Sequence, residues 1–498
     1  MTATSTESTA AALREAVKAR VARGDRFAGL FAARRDGGIT LSAHVTAKGE
    51  GSGGTRGGSP PGAETAGGWI DTLEARLPPG ASCYPALTPV LGAAFWYERV
   101  IHDLTGLVPL GHPRLAPLIR SGAPDGYALP RHVDGYGLFT IPHGPVRSGV
   151  VESMEYLVET PGEAIPHLNM RIFYKHRAVA DAFAGRPVED GVLLAERVEG
   201  IASVAHALAY CHAVEAIADC EVPRDAAMLR VVHAELERIA NHLDVAAKLA
   251  DAAGLADAAA RFAMHKERIM REVGGLSGSR FGRGAVIPGG VAAIPDTGGL
   301  GASLEPLERA IVADTTALLG TSSFLDRLRG TGPLTPARAR SHGALGPIGK
   351  ASGFRDDARQ ARPYDGYGYG QLAQAAGQFP PAQGAGDALA RLLARAEEIA
   401  EAFGLIRRAL SLLPERTEAT PCAPCHPPDG RATGWAEAPQ GEVLYDVTVA
   451  GGRIARCQPR SASFHNLVLM HEVFAGDILT DFPFIEASFG LSVAGAAL

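Results

Sequence analysis

The 498-residue sequence has no apolar run of the ~18 residues that a bilayer-spanning helix needs. Contact with a membrane is therefore expected only through partner subunits. The first residues, "MTATSTESTAAALREAVKARVARG", lack the basic start and apolar stretch of a secretory signal, so the expected compartment is the cytoplasm. Six cysteines in so long a cytosolic chain are not a disulfide framework. Charge of one sign is not concentrated anywhere: the net charge is −6 and Lys and Arg are scattered, which argues against a nucleic-acid partner. No internal repeat is evident. The Gly-rich stretch at 48–68 does not lie between a strand and a helix, so it is not a dinucleotide-binding loop.

The remaining composition is that of a globular protein, 46% hydrophobic and 20% charged. The length calls for more than one core. Residues 9–23 read as a short amphipathic helix, 48–68 as a flexible insertion, and 86–106 as a helix. The Pro/Gly-rich segment "GHPRLAPLIRSGAPDGYALPRH" reads as an extended strap. The boundary is placed so that one domain spans 1–135 and a second spans 136–498. "LFTIPHGPVRSGVVESMEYLVET" reads as two strands around a Gly-Pro turn. Long helices are expected at 190–219, 224–252, 255–273, 303–328 and 385–412. Pro223 suits the first turn of the second and Gly254 its end. A hairpin should turn at Gly451-Gly452.

Several clusters invite chemistry. Cys422, Cys425 and His426 have the spacing of a c-type haem attachment and could equally supply three ligands to a metal; a plain Pro-rich loop is the structural alternative. His233, Glu235 and His242 do not have the zinc-protease spacing. Glu235 with Arg238 reads instead as an ion pair, and His242 as a hydrogen-bonded core histidine. Arg355, Asp356, Asp357, Arg359 and Arg362 form a charge run, either a solvated face or a partly buried ion network.

Taken in order, "FWYERVIHDLTGLVPLGHPRL", "GPVRSGVVE", "FYKHRAVA", "ERVEGIASVAHALAY", "EVPRDAAMLRVVHAELERIANHL", "GPIGKASGFRDDAR", "GWAEAPQGE" and "LTDFPFIEAS" carry a family resemblance. The first resembles the small hydrophilic subunit of respiratory complex I. The rest resembles the quinone-pocket subunit of that complex and, more closely, the large subunit of membrane-bound [NiFe] hydrogenases of the formate hydrogenlyase type, in which the two modules are fused in this order. The resemblance implies an α+β fold: an N-terminal α/β domain, then a domain with a long-helix bundle and small β-sheets.

It also implies a vanished metal site. Where the hydrogenases have Arg-x-Cys-Gly-Ile-Cys, this chain has Arg197-Val-Glu199-Gly-Ile-Ala202. Where they have a terminal Cys-x-x-Cys, it has Ser492-Val-Ala-Gly495. The Arg of their Glu-Ala-Pro-Arg-Gly loop is Gln440 here. Soft thiolates hold nickel and iron; a carboxylate, a methyl, a hydroxyl and a hydrogen do not. No metal and no cofactor of the chain's own are expected, with a quinone as the ligand the resemblance allows. The expected catalytic residues are Glu152, Glu199, Arg197 and His143, with Glu152 and Glu199 as a carboxyl pair able to move protons. The alternative for Glu199 is pairing with Arg197 or another arginine. Cofactor contacts are expected at Gly200, Arg355, Asp356 and Gln440.

The partners implied are an iron–sulfur cluster subunit, a ferredoxin-like subunit and antiporter-like membrane subunits, with the chain peripheral on the inner face of the cell membrane. Two functional classes stay open: electron transfer to a quinone-like acceptor, or a non-catalytic scaffold that couples its partners.

Overall fold

The computed structural model describes residues 3–35, 37–46, 69–119, 137–147, 153–172, 174, 176–354, 356–369, 384–414 and 419–496. The insertion at 48–68, Glu152 and Arg355 lie outside the described residues.

Helix α1 (Ala3–Ala22) covers an antiparallel meander of β1 (Arg26–Arg35), β2 (Gly38–Thr46) and β3 (Ile70–Leu77). Every residue of β2 is buried, as a central strand with both faces covered requires. Strand β4 (Cys83–Pro85) pairs in parallel with β5 (Val108–Leu110), and helix α2 (Phe95–Thr105) lies between them in sequence. The expected helix at 86–106 is therefore shorter at its start. Pro89 and Gly92 break the pattern, and the Glu98 carboxylate accepts from the Leu87 and Thr88 amides at 2.7 and 2.9 Å, holding that segment as a turn.

The predicted Gly-Pro hairpin is present: β6 (Phe139–His143) pairs antiparallel with β7 (Glu155–Thr160), and β8 (His167–Arg171) completes the sheet. The segment expected as one helix over 190–219 is two, α3 (Val188–Ala195) and α4 (Ser203–Ala218). The break is the Arg197–Ala202 turn, and Ala202 is non-helical at φ −147° and ψ 40°. Helices α5 (Arg224–Ala252) and α6 (Ala256–Ser277) follow as a packed pair. Gly254, at φ +72°, supplies the left-handed turn between them.

The two-residue strands β9 (Val286–Ile287) and β10 (Gly290–Val291) form a small hairpin. Helix α7 (Leu300–Leu319) ends at Gly320, and a separate helix Ser322–Leu328 follows, so the expected 303–328 helix is also interrupted. Helix α8 (Ala388–Ser411) packs on α5. Strands β11 (Gly430–Ala438), β12 (Gly441–Ala450) and β13 (Arg453–Arg460) form an antiparallel meander. The β12–β13 hairpin turns at Gly451 and Gly452, both at positive φ, 58° and 70°. Helix α9 (Ala462–Met470) follows.

Two apolar cores result. One joins α4, α5, α6 and α8 to the β11–β12 sheet. Close approach makes it possible: a methyl group on Gly434 would lie 2.2 Å from the Ala209 carbonyl, so only glycine lets α4 sit on β11. The other core joins the N-terminal sheet, α1 and α2 to β7, β8, α9 and Phe482.

Candidate functional site

The turn between α3 and α4 faces the C-terminal residues. Glu199 is 1% exposed. Its Oε1 bonds His206 Nε2 at 3.0 Å, and its Oε2 accepts from the Ser463 hydroxyl at 3.0 Å. His206 Nδ1 lies 2.8 Å from the Tyr445 hydroxyl. Ser463 Oγ accepts in turn from the Ser492 amide at 3.1 Å. Burial pushes the Tyr445 phenol well above its ordinary pKa, so it keeps its hydrogen. With that hydroxyl donating to Nδ1, the ring hydrogen of His206 sits on Nε2 and points at Glu199; the network assigns this tautomer. The result is a continuous chain from Tyr445 through His206 and Glu199 to Ser463 and Ser492.

The four positions at which the resemblance expected thiolates converge here. Gly495 packs so tightly on Glu199 that a methyl group on it would lie 1.9 Å from Oε2. The Gly495 amide bonds Ser492 Oγ at 3.3 Å, and Ala202 is fully buried at the start of α4.

Helix α4 has no capping side chain of its own. Glu237 of α5 does that work from a neighbouring helix, accepting from the Val204 and Ala205 amides at 2.7 and 3.1 Å. Burial pushes Glu237 up to about 8; the two amides and Arg238 act the other way, and Glu199 adds to the rise. Glu237 also lines a half-open cavity of about 70 Å³. Its walls include Gly200, Ile201, Val204, Met270, Val273 and Phe281, with Asn241, Asp244 and Lys266 as polar points. The mixture suits an apolar ligand edge beside one polar group, and a volume below the ~300 Å³ of ordinary ligand pockets admits only part of a ligand.

A second polar cluster lies beneath. Arg359 binds Glu235 and Asp357, Lys350 bridges Asp357 at 2.6 Å and Glu398 at 2.8 Å, and His242 bonds Glu398 at 2.8 Å. Arg238 binds Glu235 and Glu398 at 3.1 Å each. Burial and the nearby Asp357 charge push Glu437 up to about 8. The charge run at 356–362 is thus a buried ion network rather than a solvated face, the Glu235–Arg238 ion pair forms, and His242 is a bonded core histidine.

The other expected residues have different places. Arg197 points outward, 53% exposed, and bonds Glu196 and the Leu193 carbonyl. It does not pair with Glu199, whose partners are His206 and Ser463. His143 sits at the exposed end of β6, stacked near Tyr156 at 6.2 Å and edge-on to Phe482 at 5.2 Å, and takes no part in the Glu199 chain. Burial, then the Arg147 charge, lowers its pKa.

Asp356 joins Arg26 and Arg362, and Glu442 receives Arg26, Arg362 and Arg460, so these charges tie β1 to β12. Gln440 is 1% exposed, and neither atom of its side-chain amide has a hydrogen-bond partner among the described residues. His206, Tyr445, Ser463 and Glu237 were missed from sequence. The available signal was a histidine inside the apolar run "SVAHALAY", one helical turn past Ala202.

Residues 71–134 match the family "Respiratory-chain NADH dehydrogenase, 30 Kd subunit". Residues 254–424 and 417–496 match "Respiratory-chain NADH dehydrogenase, 49 Kd subunit". Over 357 residues the chain is 31% identical to the carbon monoxide-induced hydrogenase of Rhodospirillum rubrum, spanning 70% of this chain and 96% of that protein. The chain belongs to the family that unites membrane-bound hydrogenase large subunits with the 49 kDa subunit of respiratory NADH dehydrogenase. Within this family, formate hydrogenlyase subunit 5 of Escherichia coli is 27% identical over 84% of this chain and 78% of its own length. A subunit of the NADH-quinone oxidoreductase of a Wolbachia strain is 27% identical over 70% of this chain and 95% of its own. The large-subunit fold is shared with a chain of the membrane-bound sulfane sulfur reductase, at a TM-score of 0.67 and 23% identity over 73% of this chain and 99% of that one. Among the described residues, no helix is long and apolar enough to cross a membrane.

Proposed function

We propose that this chain is the peripheral large subunit of a membrane-associated respiratory complex and passes electrons from an iron–sulfur partner to a quinone-like acceptor, without a [NiFe] centre. The observation that carries this reading is the cavity beside Gly200, with an apolar wall and Glu237 set into it next to the Glu199 chain. Reducing a quinone to a quinol takes two electrons and two protons. The electrons come from the partner's cluster. Glu237, protonated at neutral pH, delivers one proton to the ligand oxygen, takes up another from solvent through the open side of the cavity and delivers that as the second, while the Tyr445–His206–Glu199–Ser463 chain holds the neighbouring turn in place.

The residues do not fit a bound [NiFe] centre. The donor set is Glu199, Ala202, Ser492 and Gly495, and both Glu199 oxygens are already engaged by protein donors. The iron–sulfur, ferredoxin-like and antiporter-like partners, and the position on the inner face of the cell membrane, belong to the same proposal. They rest on the family resemblance, and relatives such as formate hydrogenlyase subunit 5 and the NADH-quinone oxidoreductase subunit of Wolbachia support only membership of a multisubunit complex. The division at 135/136 belongs to the same proposal.

The test is turnover of a short-chain quinone by the purified complex. Glu199→Ala and Glu237→Gln are each expected to lower kcat by about 10²-fold, the usual size of a general-acid contribution. Undiminished turnover in both variants would refute the electron-transfer reading and leave the subunit as a scaffold.

A further inference from the structure

Three cysteines that the proposed function does not use come together at the far end of α4. Cys220 lies one residue beyond the helix, whose C-terminal turn closes through Asp219 in the left-handed conformation, φ 49°. The Cys220 thiol donates at 3.5 Å to the Pro424 carbonyl, the group joined to the Cys425 nitrogen, and the two thiols influence each other's titration. Cys422 is exposed, while Cys220 and Cys425 are half-buried.

The loop that carries Cys425 is fixed in place. The Ala423 amide bonds the Gly289 carbonyl at 3.0 Å, and the Val291 amide bonds the Pro421 carbonyl at 2.8 Å. The two backbones touch because Gly289 and Gly290 have no side chain: a methyl group on Gly289 would lie 2.3 Å from the Ala423 carbonyl oxygen and 3.3 Å from Cys425 Cβ. A thiol held against the peptide that precedes a second cysteine, by rigid neighbours, needs little backbone movement for the pair to bond.

We propose that Cys220 and Cys425 are a redox-responsive dithiol that closes to an intrachain disulfide by exchange with a small-molecule disulfide. In this exchange one protein thiolate attacks the small disulfide and releases one small thiol. The second protein thiolate attacks the mixed disulfide and releases the other. Two protein S–H bonds are lost, one S–S bond forms, and the small disulfide is reduced to two thiols. The product staples the end of α4, whose start carries His206, to the segment that enters β11. Burial and the Glu215 carboxylate hold the Cys220 thiol protonated, and burial with the Cys220 neighbour raises Cys425 further, so closure accelerates as pH rises. The pair stands apart from the quinone-like reading and does not depend on it.

The experiment uses the reduced full-length chain, oxidised glutathione as the probe at pH 8, acid quenching, alkylation and mass spectrometry of non-reduced peptides. The expected product is a peptide linking Cys220 to Cys425, retained in Cys422→Ala, reversed by dithiothreitol, and at least ~10-fold more abundant than any link to Cys422. Cys425→Ser should leave Cys220 as a glutathione adduct. A dominant Cys422–Cys425 link, or stable adducts with no Cys220–Cys425 link, would overturn the proposal.

Discussion

Glu237→Gln is expected to make the protein more stable and less active, and the two effects can be separated by pH. In the fold the carboxyl is pushed up to about 8 from an ordinary 4.5, chiefly by burial. A raised acid pKa means the folded state holds its proton where the unfolded chain has lost it. Stability is then full below the unfolded pKa, declines as pH rises from about 4.5 to about 8, and is level above that. At about 1.36 kcal/mol per tenfold change in proton affinity, the whole decline is on the order of 5 kcal/mol, and the part lost by pH 7 is about 3 kcal/mol. Glutamine keeps an acceptor oxygen for the Val204 and Ala205 amides but carries no titrating proton. The variant should match the native chain near pH 4.5 and exceed it progressively toward pH 9. For a chain of this length unfolding as a unit, 3 kcal/mol corresponds to a rise in Tm of about 3 °C. Thermal and urea denaturation of both proteins from pH 5 to 9 measures it. Parallel stability curves for the two proteins would refute the buried-acid argument.

Glu199→Ala removes the acceptor of His206 Nε2 and Ser463 Oγ, and the two stranded donors are expected to cost about 2–4 kcal/mol in urea unfolding. Gly495→Ala forces a methyl group against the same carboxylate and should cost about 1–3 kcal/mol with both polar partners still present. Asp357→Ala strips Arg359 and Lys350 of a shared, buried counter-ion and is expected to cost about 3–5 kcal/mol, visible as loss of soluble yield and of cooperative unfolding. Gly434→Ala should prevent α4 from seating on β11, giving a molten species that binds hydrophobic dye while keeping much of its helical circular dichroism.

The helices were legible where apolar spacing ran uninterrupted. Helix α5 spans Arg224–Ala252, the range its periodicity gave, and α8 and the Gly451-Gly452 hairpin likewise match. The breaks were not legible. The spacing through Glu196–Ala202 is compatible with helix; what opens it is the inward pull on Glu199 from His206 and Ser463, the latter 264 positions away. The same reason hid Glu237, which reads as an ordinary helix-face acid until α4 is laid across it. The charge run at 356–362 was recognisable as a network or a surface, but choosing between them required knowing that Glu235, Glu398 and Glu442 arrive from three other elements.

By itself the sequence determined the family, the order of its modules and the uninterrupted long helices, because these depend on residue type and local period. Only the tertiary structure decided how Glu199 is held. A buried carboxyl must find donors, and which donors reach Glu199 depends on the α4 and α9 helices and the C-terminal turn meeting in space.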